Sequence, residues 1–208
     1  MFGISVFGDS ITFGRGDFVT GGWCGLLKKY FESKDYYNCL FNLGICGETS
    51  TRLLKRFDIE SKVRMSHIRK GDRNVIILAI GINDSRLLGL DEKPETDITL
   101  FEKNIMSLIE TAQTHTHEVL CIGLTPVDES LTMDYQGQRY TNERIKEYNY
   151  ILKQTCIKKN IPFFDIFTVF LNLDYKYLLD DGIHPNKEGY TIMFEYIKDF
   201  LIQEKILT

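Results

Sequence analysis

The sequence predicts a three-layer α/β domain, in which one five-stranded parallel sheet is covered by helices on both faces. Three observations predict it. Five short apolar runs alternate with stretches whose apolar residues recur at helical spacing, the pattern of a sheet assembled from strand–helix–strand units. The run Val75 to Ile80 is continuous and rich in β-branched residues, as a strand buried on both faces requires. No composition break, Ser/Pro linker, internal repeat or low-complexity tract divides the 208 residues. Residues 1–208 are therefore read as a single domain of ordinary size.

The first strand is Ile4-Ser5-Val6-Phe7, which meets Gly8, a residue that permits a sharp turn. Ser10 stands just past its carboxyl end, where open α/β sheets bind ligands. The Gly-rich stretch Gly14-Arg15-Gly16-Asp17 and Gly21-Gly22 reads as a loop. It fits neither G-x-G-x-x-G nor the P-loop pattern, which argues against a nucleotide. Trp23, Leu26, Leu27, Tyr30 and Phe31 form the apolar face of a helix. Trp23 reads first as core and second as a wall of an acyl pocket.

Cys39 to Leu43 is the second strand; it breaks at Gly44-Ile45-Cys46-Gly47, and Glu48 begins a helix that buries Leu53, Leu54 and Phe57. Val75 to Ile80 ends in Gly81-Ile82-Asn83-Asp84, and a helix from about Asp97 to Thr114 buries Phe101, Ile105, Leu108, Ile109 and Ala112. Val119 to Leu124 is the fourth strand. Asp128 to Arg139 shows no period and reads as a surface loop, the one stretch long enough for a lid. Ile145, Tyr148, Leu152 and Cys156 mark a helix, Pro162 to Phe167 the fifth strand, and Tyr190, Met193, Phe194, Ile197 and Leu201 the last helix.

Composition narrows the function classes. Hydrophobic residues are 43% and charged residues 26% of the chain, with a net charge of -4. That balance gives no reason to expect nucleic acid, and no basic stripe interleaved with aromatics is present. No run approaches the ~18 apolar residues a bilayer span needs. Met1-Phe2-Gly3 enters a strand without a secretory leader, so a cytoplasmic location is expected. Five scattered cysteines with no Cys-x-x-Cys read as buried reduced thiols. His67, His115 and His117 read as surface residues, and the run Lys55-Arg56…Lys62-Val63-Arg64…Arg69-Lys70 as a solvated helix face.

The chemistry gathers at strand ends. Ser10, Gly47 and Asn83 fall at the carboxyl ends of successive strands, with Asp181 and His184 beyond the fifth. In a doubly wound sheet those ends converge on one edge, so residues distant in sequence can share a pocket. Acyl transfer needs a nucleophile, a base and a group that orients the base, roles that Ser10, His184 and Asp181 can fill. It also needs donors for the oxyanion, for which the backbone N–H groups of Ser10 and Gly47 and the Asn83 amide are candidates. A serine at this position could instead cap the following helix. Asp9 reads as a structural acceptor, Asp84 likewise, and Gly47 as a position of positive φ.

These residues match a family. Gly8-Asp9-Ser10-Ile11-Thr12 resembles the first signature block of the SGNH, or GDSL, hydrolases. Asn42-Leu43-Gly44-Ile45-Cys46-Gly47-Glu48-Thr49 resembles the second, Gly81-Ile82-Asn83-Asp84 the third and Asp181-Gly182-Ile183-His184-Pro185 the fifth. All four stand in family order between residues 8 and 185, with Glu48 where an Asp is common. The resemblance implies a flavodoxin-like sheet in an α/β/α sandwich, hydrolysis of an ester or thioester and no cofactor; no metal is expected either, since no carboxylate or cysteine cluster accompanies His115 and His117. The expected substrate is a small or medium carboxylic ester or thioester cleaved through an acyl-enzyme, in a shallow pocket suited to short acyl groups. Deacetylation of a sugar, hydrolysis of a lysophospholipid and cleavage of a thioester are alternatives within the family. Outside it stand a metal-dependent phosphoesterase using Asp9, Asn83, Asp181 and His184, and a catalytically silent binding module. The sequence does not fix an oligomeric state.

Overall fold

The computed structural model describes residues 1–65, 71–89, 92–135 and 137–207. His67 and the Arg69-Lys70 end of the charged run lie outside them. The chain begins with β1 (Phe2–Gly8), α1 (Ser10–Phe13), α2 (Gly22–Glu32), β2 (Asn38–Gly44) and α3 (Ser50–Met65). It continues through β3 (Arg73–Ala79), α4 (Ile82–Ser85), β4 (Leu87–Leu88), β5 (Lys93–Pro94) and α5 (Ile98–His115). Then come β6 (Glu118–Ile122), α6 (Glu129–Thr132), β7 (Gln138–Arg139), α7 (Asn142–Lys159) and β8 (Phe163–Phe164). The chain closes with α8 (Ile166–Leu171), a 3-10 turn at Tyr175–Leu178 and α9 (Lys187–Gln203).

Five strands form a parallel sheet in the order β2-β1-β3-β6-β8. The alternation of side chains along β1 shows why it needs cover on both sides. Phe2 sets its ring against Phe31 of α2, with centroids 4.8 Å apart, whereas Phe7 meets Phe57 of α3 at 4.6 Å. Residues five apart on a strand point to opposite faces, so α2 and α3 lie on opposite sides of the sheet. α2 packs on α9, and α5 packs on both α3 and α7. The outcome is the α/β/α sandwich the sequence predicts. Ile4, Val6, Val75, Ile76, Ile77 and the five predicted residues of α5 are all fully buried.

Several local expectations are corrected. The fifth strand is only Phe163–Phe164, because the Asp165 side chain accepts from Thr168 N–H and starts α8 in its place. Helix α3 starts at Ser50 rather than Glu48, and Leu54 on it is only half-buried. Asp128 to Arg139 is not a featureless loop: it holds α6 and β7, and β7 pairs with β4 in a small antiparallel sheet ordered β5-β4-β7. Of the five free cysteines, Cys24, Cys121 and Cys156 are buried, Cys39 is half-buried and Cys46 is exposed. His117 is exposed, but His115 is half-buried with Nε2 2.9 Å from Asp58 Oδ1. Trp23 is core and faces an internal cavity beneath Asp9. No helix among the described residues is long and apolar enough to cross a membrane.

Candidate active site

The carboxyl edge of the sheet builds the site. β1 ends at Gly8, where a Cβ would lie 2.4 Å from the Ala79 carbonyl oxygen and 2.1 Å from Thr12 Oγ1; no larger residue fits between β1 and β3 there. Asp9 then caps α1, its Oδ1 accepting from Ile11 N–H at 3.0 Å. The cap role weighed for Ser10 therefore falls to its neighbour. Ser10 is the first residue of α1, where helix amides have no intrahelical acceptor.

His184 reaches Ser10 from the far end of the chain. Asn186 caps α9, its Oδ1 accepting from Glu188 and Gly189 N–H groups at 3.0 Å. The Asp180 N–H donates to the His184 carbonyl at 2.8 Å. These bonds hold the intervening turn, and Ser10 Oγ lies 2.8 Å from His184 Nε2. His184 Nδ1 lies 2.8 Å from Asp181 Oδ2. A carboxylate beside Nδ1 keeps the proton there and leaves Nε2 free to accept from the serine hydroxyl. Asp181 Oδ1 accepts from the backbone N–H of Ile183 at 3.0 Å and of His184 at 2.8 Å. Burial works against this charge, but the His184 ring, its N–H and its charge, with the Tyr135 hydroxyl, hold the carboxyl well below the usual range.

Gly47 and Asn83 line the same cleft as Ser10 and His184. Gly47 has φ 75°, a backbone conformation that favours glycine, and a Cβ there would meet nothing within 4 Å. Backbone conformation, rather than space, is what this position demands. Asn83 donates from Nδ2 to the Glu48 carbonyl at 2.9 Å, and Tyr140 Oη donates to Asn83 Oδ1 at 3.2 Å. The amide is thereby oriented, and its second N–H remains to be given. Asp84 accepts from Ser50 N–H at 2.9 Å and Ser50 Oγ at 2.6 Å, tying α4 to the start of α3 as a structural acceptor.

Burial pushes the Asp9 carboxyl up to about 7, opposed by the Ile11 N–H and the His184 charge. Both Asp9 and Asp181 already spend carboxylate oxygens on N–H donors, and no three His, Cys, Asp or Glu side chains among the described residues gather as metal ligands.

Several residues in and around the cleft have roles that the sequence does not reveal. Glu48 is buried and ion-paired with Arg56 at 2.6 Å, and Arg56 also donates to the Leu43 carbonyl at 2.8 Å. This member of the charged run thus braces the loop that carries Gly47 and is not part of a solvated face. The cleft, about 290 Å³, is also lined by Arg15, Arg86, Tyr135, Gln138 and Tyr140. Arg86 donates to Gln138 Oε1 at 2.9 Å and to Glu95 Oε2 at 3.1 Å, joining the small sheet to the cleft. Tyr135 Oη donates to Asp181 Oδ2 at 2.8 Å. No periodic signal marks these positions, since each acts through a partner distant in sequence.

Comparison with known proteins agrees with this fold. A solved lipase/acylhydrolase from Enterococcus faecalis superposes with a TM-score of 0.78 at 22% identity, covering 97% of this chain and 95% of that one. The acetylxylan esterase Axe2 from Geobacillus stearothermophilus gives 0.71 at 18% identity, covering 96% and 92%. A multidomain esterase of Ruminococcus flavefaciens is 26% identical over 221 residues, which take in 91% of this chain but 27% of that protein. The chain thus spans about a quarter of the length of that curated relative. The model of the GDSL-like lipase/acylhydrolase family matches residues 6–192. That match takes in most of the sequence, and the chain belongs to the GDSL-like lipase/acylhydrolase family.

Proposed function

We propose that the protein is a serine esterase that cleaves short carboxylic esters through an acyl-enzyme. The observation that carries the reading is the unbroken relay Ser10 Oγ, His184 Nε2 and Nδ1, Asp181 Oδ2, with both contacts at 2.8 Å. Ser10 Oγ attacks the ester carbonyl as its proton passes to His184 Nε2. The resulting imidazolium is stabilised by Asp181 and gives the proton to the departing alcohol oxygen. Water then attacks the acyl-serine with His184 again as base, and the acid leaves as Ser10 regains its proton. The Ser10 and Gly47 N–H groups and the free Asn83 N–H serve the oxyanion. No step calls for a metal or cofactor.

The cleft favours a polar alcohol. Arg15, Gln138, Tyr135 and Tyr140 offer hydrogen-bonding groups around the nucleophile, while Ile183 and Cys46 contribute to the apolar part of the walls. A sugar bearing an O-acetyl group suits such walls better than a long acyl chain. Axe2, an acetylxylan esterase, shares the fold, which adds weight to this choice over a lysophospholipid or a thioester.

The test is hydrolysis of p-nitrophenyl acetate, butyrate and octanoate and of acetylated xylo-oligosaccharides, by wild type and Ser10→Ala, with and without a chelator. Activity that needs Ser10, ignores the chelator and falls with chain length supports the reading. Chelator-sensitive turnover that survives Ser10→Ala would overturn it in favour of metal chemistry. A folded wild type inert on every ester and unlabelled by a fluorophosphonate is a binding module.

A further inference from the structure

Asp181 accepts more hydrogen bonds than its own loop supplies. Three come from that loop: Ile183 N–H, His184 N–H and His184 Nδ1–H. The fourth comes from Tyr135, 46 positions earlier, whose Oη lies 2.8 Å from Oδ2, the oxygen that also holds the imidazole. Tyr135 is not there by accident of a loose loop. The segment that carries it is pinned at one end beside Asp181, where Asp128 N–H donates to the Gly182 carbonyl at 2.8 Å. At the other end Gln138 pairs with Leu88 in the small sheet, and Tyr135 and Gln138 exchange backbone hydrogen bonds at 2.7 and 3.0 Å. The ring meets Tyr140 edge-on, centroids 6.3 Å apart.

We propose that Tyr135 is a positioning residue, whose hydroxyl fixes Asp181 Oδ2 against the imidazole and moderates its charge so that His184 is free to act as base at lower pH. The inference rests on the esterase reading above. Two donors on one carboxylate oxygen share its electron density, so each hydrogen bond is weaker than it would be alone. The phenol competes with the imidazolium for Oδ2. Without the phenol, Asp181 grips the protonated ring more tightly, and more alkaline conditions are needed to free the base. Burial, followed by the hydrogen bond to Asp181 and its charge, pushes the Tyr135 phenol up to about 12, so it stays a donor throughout the working range.

The other groups around the relay are fixed across the comparison. Asp9 lies within reach of the His184 and Asp84 charges; Arg15 and Cys46 line the cleft, and Tyr190 of α9 donates from its buried hydroxyl to the Arg15 carbonyl at 2.9 Å. All are unchanged in Tyr135→Phe, which keeps the ring and removes only the donor. A shift between the two proteins therefore reports the hydroxyl.

The experiment compares the pH dependence of kcat and KM for p-nitrophenyl acetate in wild type and Tyr135→Phe, over about pH 5 to 9. The expected result is an acid limb displaced upward by about half a pH unit, with kcat on the plateau lowered roughly 2- to 10-fold. Thermal unfolding confirms that the variant is folded, and the proton resonance of His184 Nδ1 is expected to move downfield as its hydrogen bond to Asp181 strengthens. Superimposable pH profiles and an unmoved resonance would overturn the proposal, as would a change confined to KM, which would make Tyr135 only a wall of the cleft. If neither protein hydrolyses any ester, the esterase reading fails, while the Nδ1 resonance still decides whether Tyr135 tunes the aspartate–histidine pair.

Discussion

The Ser10 hydroxyl and the His184 imidazole stand 2.8 Å apart although 174 positions separate them. Neither element next to them makes the contact alone. Gly8 lets β1 and β3 lie close together just before Ser10, and the Asn186 cap starts α9 just beyond His184. Ser10→Ala and His184→Ala are each expected to lower kcat on p-nitrophenyl acetate by on the order of 10⁴- to 10⁶-fold with unchanged thermal midpoints, because each removes the shared proton path. A folded Ser10→Ala protein with wild-type turnover would remove the acyl-enzyme from consideration.

Asp181→Asn tests the third member separately. The amide keeps the shape but can present N–H where the imidazole needs an acceptor, which favours the wrong tautomer. A loss of about 10⁴-fold in kcat with little change in KM is expected. Steady-state kinetics on the acetate ester distinguishes this from a binding defect, which would raise KM and leave kcat near wild type.

Asn83 and Tyr140 act as a pair. The Glu48 carbonyl, which can only accept, settles which way the Asn83 amide faces, and Tyr140 Oη then donates to Asn83 Oδ1 at 3.2 Å. Asn83→Ala is expected to lower kcat about 100- to 1,000-fold, the usual cost of one oxyanion donor. Tyr140→Phe should cost less, and it should add little to Asn83→Ala in the double variant, since both act through one amide. Additive losses would separate the two residues.

Much of this arrangement was legible in the sequence because the relevant signals are local. Val75 to Ile80 announces a strand buried on both faces; Ser10, Gly47 and Asn83 each sit in a short block at a strand end, and His184 in a short block before α9. What escaped is held by distant partners. Phe163–Phe164 is a two-residue strand because the Asp165 cap begins a helix at once, and β7 exists only through its pairing with Leu87–Leu88. Arg56 looks like one more charge on a polar helix until the Glu48 loop folds back onto it. No periodicity encodes a hydrogen bond from Tyr135 to Asp181.

The Glu48–Arg56 pair makes a stability prediction. Both side chains are largely buried, with 5% and 16% of their surface exposed, and Arg56 also satisfies the Leu43 carbonyl. Arg56→Ala leaves a buried carboxylate without its partner, a loss of about 3 kcal/mol. Denaturant unfolding should show a lowered midpoint, and kcat should fall as well because the loop bearing Gly47 loses its brace. Glu48→Gln, which avoids a stranded carboxylate charge, should be milder on stability; equal losses would mean that the pair, rather than the unpaired charge, sets the cost.

Asp9 gives the fold its own pH dependence. Burial raises its carboxyl from 3.8 to about 7, so the folded state retains a proton that the unfolded chain releases. The sign follows from linkage: the contribution is fully present below the unfolded value and is lost as pH rises toward about 7, at a slope approaching 1.4 kcal/mol per pH unit. The His184 charge nearby opposes the rise and softens the slope. Asp9→Asn mimics the neutral acid and keeps an oxygen for the Ile11 N–H, so its stability should be flatter across this window. Guanidinium unfolding at about pH 5 and pH 8 checks it: the variant should gain on wild type as pH rises. A constant difference at both pH values would mean that Asp9 is already ionised in the folded protein, held so by the Ile11 amide and the His184 ring.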